Sequence, residues 1–130
     1  MNLPAIDETH LRDRGYSYEV TVEANMTCVV LRGWPLPSGY DRATADLLIR
    51  VGPGYPDTPP DMWWFDPAVR LANRRTIKAT EVMERHLGRS WQRWSRHLDR
   101  GQWQSGVDGV ESFLALISRE LARSAKEPGR

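Results

Sequence analysis

A single cysteine, Cys28, excludes an internal disulfide, and three scattered histidines, His10, His86 and His97, do not give the spacing of a structural zinc site. No metal or other cofactor is expected. Long apolar runs are missing too: nothing approaches the roughly 18 residues of a membrane span, and Met1-Asn2-Leu3-Pro4 opens no basic-then-apolar leader. A cytoplasmic protein with no membrane partner is therefore expected. Internal repeats and low-complexity tracts are also absent. The 130 residues, 40% apolar and 27% charged, fit one globular domain with a single core.

The net charge of +1 is unevenly spread. Residues 70–100 hold nine Lys/Arg against Glu81, Glu84 and Asp99, a local +6 that leaves −5 for the remainder. Such asymmetry marks a solvated basic face or a surface for an acidic partner. Five of the six tryptophans also fall between Trp63 and Trp103. Packing alone accounts for tryptophans in such a stretch, since each buries a large area and needs one hydrogen-bond partner. Aromatics beside arginine are also what interfaces favour, which makes Trp91, Arg93, Trp94, Arg96 and Trp103 the candidate partner-binding residues.

Periodicity predicts an α+β domain. Residues 1–14 form an N-terminal segment without an assigned element. A sheet over 16–65 follows. Within it, residues 16–23 alternate apolar and polar as a half-buried strand, Ala24-Asn25 turn the chain, and 26–31 read as a more central strand. Pro35, Pro37 and Gly39 then break the pattern. In the third strand, Ala45, Leu47, Ile49 and Val51 share the core face. Gly52, Pro53, Gly54, Pro56, Pro59 and Pro60 force an extended crossing into a short fourth strand, 62–65. Residues 66–106 read as a long irregular arm, with a helical turn or two possible over 80–86. Val110, Phe113, Leu114, Ile117 and Leu121 then make one stripe of an amphipathic helix over 108–124, with Asp108 as N-cap and Glu111 completing a capping box. The tail 125–130 should fray. The expectation is a four-stranded antiparallel meander packed on one C-terminal helix.

Residues 43–65, with Gly54-Tyr55-Pro56-x-x-Pro59-Pro60 between two strands, resemble the hallmark of ubiquitin-conjugating (E2) enzymes and their relatives, and the likeness extends over about 16–124. The prolines preset an extended backbone and the tyrosine ring can pack over them. The last helices of the E2 fold are not expected within these residues. Leu36-Pro37-x-Gly39-Tyr40, Asp46-Leu47-Leu48, Pro60-Asp61-Met62 and Trp91-Gln92-Arg93-Trp94-Ser95-Arg96-His97 are more closely similar to the prokaryotic E2 family E. That resemblance implies a ubiquitin-like modifier protein, an E1-like adenylating protein and a JAB-type peptidase as partners.

It also implies a cysteine in the arm after strand four to accept the modifier as a thioester. This arm has none. Counting forward from Pro60 reaches Thr80 and counting back from Trp94 reaches His86, so the arm differs in length from ordinary E2 arms. Cys28 sits in an apolar strand and reads as a small buried hydrophobe. The His-Pro-Asn element of E2 enzymes is missing; Leu71-Ala72-Asn73 is a distant stand-in, and Asn73 reads equally as a turn residue. A hydroxyl with a base is the remaining route, which makes Thr80, His86, Ser95 and His97 the candidate catalytic residues. Against them stands the plain alternative that both histidines only hold the arm. Three functions follow from these residues: an E2-like scaffold or non-thioester carrier, a nucleic-acid module whose tryptophans stack on bases, or a small hydrolase using Ser95 and His97, which lacks an acidic orienter. The first is favoured and nucleic acid is the weaker partner class, because no recognition motif accompanies the charge.

Overall fold

The computed structural model describes residues 3–98 and 101–126. Helix α1 (Ala5–Asp13) leads into β1 (Tyr18–Glu23), β2 (Met26–Pro35), β3 (Thr44–Val51), β4 (Met62–Asp66), β5 (Met83–His86) and β6 (Arg89–Ser95), and α2 (Val110–Lys126) closes the chain. The six strands form one antiparallel sheet in the order β1-β2-β3-β4-β6-β5. The fold class is α+β as expected, but the sheet has six strands rather than four.

The two extra strands lie in the stretch expected to be irregular, and residues 83–86 are strand, not helix. Their hairpin turns through Leu87 and Gly88, both at positive φ (56° and 74°), as two-residue hairpin turns require. Ala24 and Asn25 do the same between β1 and β2. β2 also runs four residues past its expected end, to Pro35. A bulge between Leu31 and Trp34 keeps it paired to β3, and Asp46 Oδ1 accepts the Gly33 N–H at 3.0 Å.

Alternation along the strands divides the apolar residues between two cores. Ala45, Leu47, Ile49 and Val51 face α2, as expected, and meet its stripe of Val110, Phe113, Leu114, Ile117 and Leu121. Trp63 stacks on Trp94 and meets Phe113 edge-on at 5.9 Å. The opposite face buries Cys28, Val30, Leu48, Trp64 and Trp91 without a covering helix. There the sheet curls until the tip of the β5–β6 hairpin reaches β1: Leu87 packs on this second core and its N–H donates to Glu23 Oε2 at 2.8 Å. His86 lies between Glu84 (3.1 Å) and Glu23 (3.7 Å), edge-on to Trp64.

Glu84 gathers Arg93, Trp64 Nε1 and His86 on its two oxygens. Burial alone would raise its carboxyl, but these donors outweigh it and hold it below its ordinary 4.5. The folded chain therefore binds fewer protons there than the unfolded one around that pH, so this stabilisation is complete above 4.5 and is lost as pH falls through the depressed folded value. Glu84→Gln should accordingly be less stable than the parent at neutral pH, and the gap should close on acidification. Urea midpoints across a pH series measure it; a gap independent of pH would show that the charge contributes nothing.

The helix expected from residue 108 begins at Val110. Asp108 does not cap it: its carboxylate accepts the Gln104 N–H. Gly109 is the flanking residue, its carbonyl taking the first helical bond from Phe113 and its N–H donating to Ser112 Oγ. The acceptor for the Val110 N–H is Asp7 Oδ1, from α1. The expected frayed tail falls largely on residues 127–130, outside the described residues, with α2 ordered through Lys126. Among the described residues no helix is long and apolar enough to cross a membrane.

Candidate functional site: the arm between β4 and β5

Residues 67–82, between β4 and β5, are the part of the arm that keeps no regular structure, yet they are fixed at both flanks. The side chain of Gln92 on β6 behaves like a strand partner for Val69: Oε1 accepts the Val69 N–H at 2.8 Å and Nε2 donates to the Val69 carbonyl at 3.1 Å. The same Oε1 accepts Trp94 Nε1–H at 3.0 Å. Leu71 bridges to Tyr40, and the Ala72 N–H donates to the Gly39 carbonyl. Tyr40 in turn donates to the Leu121 carbonyl of α2 at 2.6 Å, and burial, helped by nearby Glu120, pushes its hydroxyl up to about 12, so it stays a donor. Further along, Arg96 donates to the Lys78 carbonyl and to Glu120 Oε2, both at 2.8 Å. Asn73 Oδ1 accepts the Arg75 N–H, which makes it a turn residue.

Between these staples lies a groove of about 530 Å³. Val69, Leu71, Ile77 and Met83 supply apolar lining; Arg70, Arg74 and Arg75 supply charge. A second pocket, about 260 Å³, lies between β4, the segment after β6, and α2, with Asp61, His97, Trp63, Phe113 and Leu116 among its lining residues.

The four candidate catalytic residues do not gather in one place. Thr80 is buried at the first groove, its hydroxyl donating to the Ile77 carbonyl. His86 belongs to the carboxylate cluster on the curled face. Ser95 ends β6, its N–H bonded to the Ala79 carbonyl. His97 lies beyond the strand at the second pocket, its Nδ1 3.1 Å from Asp61 Oδ2. Both candidate bases have carboxylate partners, His86 in Glu84 and Glu23 and His97 in Asp61, but His97 and Asp61 also line a pocket; Asp61 is a partner the sequence spacing of 36 residues did not reveal.

The candidate partner-binding residues differ in how much surface they offer. Trp91 and Trp94 are fully buried, one in each core, and present no surface to a partner. Arg93 is committed to Glu84, and Arg96 to Glu120 while lying over the Trp94 ring. Trp103 is half-buried against Tyr55 and donates to the Pro56 carbonyl at 2.7 Å. Residues missed from sequence are Gln92, which fixes the arm, and Asp7, which joins α1 to Tyr55 and α2. Neither belongs to a local pattern that spacing exposes.

The Tyr-Pro turn is held by that same aspartate, Tyr55 donating to Asp7 Oδ2 at 2.6 Å, so the tyrosine reaches outward to α1 as well as packing with Trp103. No curated protein and no solved structure matches the chain. The family model described as prokaryotic E2 family E matches residues 3–124, from the start of the described chain to the last turns of α2. With the Tyr-Pro turn, the antiparallel sheet and the closing helix all inside that span, the chain belongs to prokaryotic E2 family E.

Proposed function

We propose that the chain is an E2-like component of a bacterial ubiquitin-like modification pathway that binds the modifier and an E1-like adenylating protein as a scaffold, without carrying the modifier as a thioester; a JAB-type peptidase is the third expected partner. The observation that carries this reading is the position of the sole thiol. Cys28 has no exposed surface, lies on β2 between β1 and β3, and its sulfur is 4.0 Å from the Met26 carbonyl. Thioester exchange needs a thiol that an incoming acyl group can reach, and a thiol with no exposed surface inside an apolar core is not reachable.

One observation favours a second reading, a non-thioester intermediate or base catalysis at His97. Asp61 is placed to orient the ring, and the pair opens on a pocket that could admit a peptide terminus. The nucleic-acid alternative is weakened, because Trp63, Trp64, Trp91 and Trp94, on which bases would have to stack, are buried.

Incubation with modifier, E1-like protein and ATP, followed by intact-mass measurement with and without hydroxylamine, tests the proposal. The expected result is an unmodified chain that co-elutes with the modifier on size exclusion, and Cys28→Ala should co-elute equally well. A hydroxylamine-labile adduct would overturn the scaffold reading, and its loss in His97→Ala would establish the second one.

A further inference from the structure

The basic run of residues 70–100 divides into two halves once its partners are seen. Arg89 is neutralised by Asp46 and Asp66, Arg93 by Glu84, and Arg96 by Glu120, so these cations are internal struts. Arg85 bonds the Gly88 carbonyl at the hairpin turn. Arg70, Arg74, Arg75 and Lys78 make no ion pair with any described residue, and all four are exposed. Three of them line the 530 Å³ groove. Within this run the described cations without an ion pair thus fall, Arg85 apart, on residues 70–78, and three of them share one concave feature.

Its lining discriminates between polyanions. No aromatic ring faces the groove, so unpaired bases would find nothing to stack on. Between the charges the exposed apolar surface comes from Met83 and Ala72, above the buried Val69, Leu71 and Ile77. Met83 also opens β5, the last strand of the sheet, whose outer edge pairs with no described strand. An extended chain laid beside that edge would present alternate side chains to the groove.

We propose that this groove is a docking site for an acidic, extended peptide segment of a protein partner, with carboxylates on Arg70, Arg74 and Arg75 and apolar residues against Met83 and Ala72. The proposal deepens the scaffold reading by assigning a chemistry to one partner's docking segment, and it rests on that reading only for the partner's being a protein.

Fluorescence polarisation with a labelled peptide of alternating Asp and Leu tests it, beside the Lys/Leu counterpart and a labelled single-stranded oligonucleotide, each over a salt series. The Asp/Leu peptide should bind, weaken with salt, and lose about tenfold in affinity for R70E/R74E/R75E, since each reversal sets like charges together. These are exposed positions, so circular dichroism of the variant should match the parent. Oligonucleotide binding tighter than that of the Asp/Leu peptide, or no Asp/Leu binding at low salt, would overturn the proposal. Capture of the modifier and E1-like protein with full affinity by the triple variant would also overturn it, while leaving the scaffold reading intact; loss of capture by parent and variant alike would instead count against the scaffold.

Discussion

Asp7→Ala is expected to lower the unfolding free energy by about 3 kcal/mol, from two hydrogen bonds to a carboxylate lost together, leaving one buried and one half-buried donor unpaired. The carboxylate is 3% exposed and accepts from Tyr55 Oη at 2.6 Å and from the Val110 N–H at 3.1 Å. It therefore serves as the missing N-cap side chain of α2, where a negative charge is also favoured by the helix dipole. Its approach is close: a Cβ built on Gly109 would lie 2.7 Å from Asp7 Oδ1, so any larger residue there would push the carboxylate aside. Burial, and then the bond to Asp7, push the Tyr55 hydroxyl well above its ordinary 10, so the phenol donates throughout the useful pH range. Tyr55→Phe should cost less, about 1 kcal/mol, because it removes one donor and leaves Val110 served. Equilibrium urea unfolding measures both. An Asp7→Ala variant no less stable than Tyr55→Phe would refute the capping role.

Asp7 also shows why part of the fold was hidden. A helix is read from an apolar stripe, but the buried face of α1 is Asp7 and Leu11, one carboxylate and one leucine, and the partners of that carboxylate lie 48 and 103 residues away. The β5–β6 hairpin was hidden for a different reason. Trp91 enters one core and Gln92 and Trp94 lie on the other side of β6, so burial does not alternate, and Leu87-Gly88 lacks the Asn-Gly or Asp-Gly signature of its turn type. Elsewhere the pattern was legible: the β3 core positions and the α2 stripe lie where their periods put them, and Cys28 is the buried apolar residue its neighbours imply. The candidate site was legible only as a region. Thr80, His86, Ser95 and His97 are close in sequence, but a hairpin and the end of β6 send them to different surroundings, and the partner of His97 comes from before β4.

Gln92→Leu should be the most damaging single change in the arm, destabilising by about 4 kcal/mol, because a side chain of similar length but no polar atoms leaves the Val69 N–H, the Val69 carbonyl and the Trp94 indole N–H unpaired in a buried site. Gln92 is 4% exposed and Val69 and Trp94 are fully buried, so water cannot readily replace these bonds. Gln92→Glu should not rescue it: a carboxylate keeps the acceptor for Val69 and Trp94 but has no donor for the Val69 carbonyl, and it buries a charge with no cation among its bonded partners. The loss should be largest locally. Amide exchange at Val69 should rise in Gln92→Leu well beyond the change in global stability, while Leu47 and Ile49 at the centre of the sheet follow the global value. Equal protection of Val69 in parent and variant would mean that the Tyr40–Leu71 bridge and the Arg96–Lys78 bond hold the arm without Gln92. If Val69 is released as expected, Arg70 is released with it, and one wall of the groove depends on a single amide from β6.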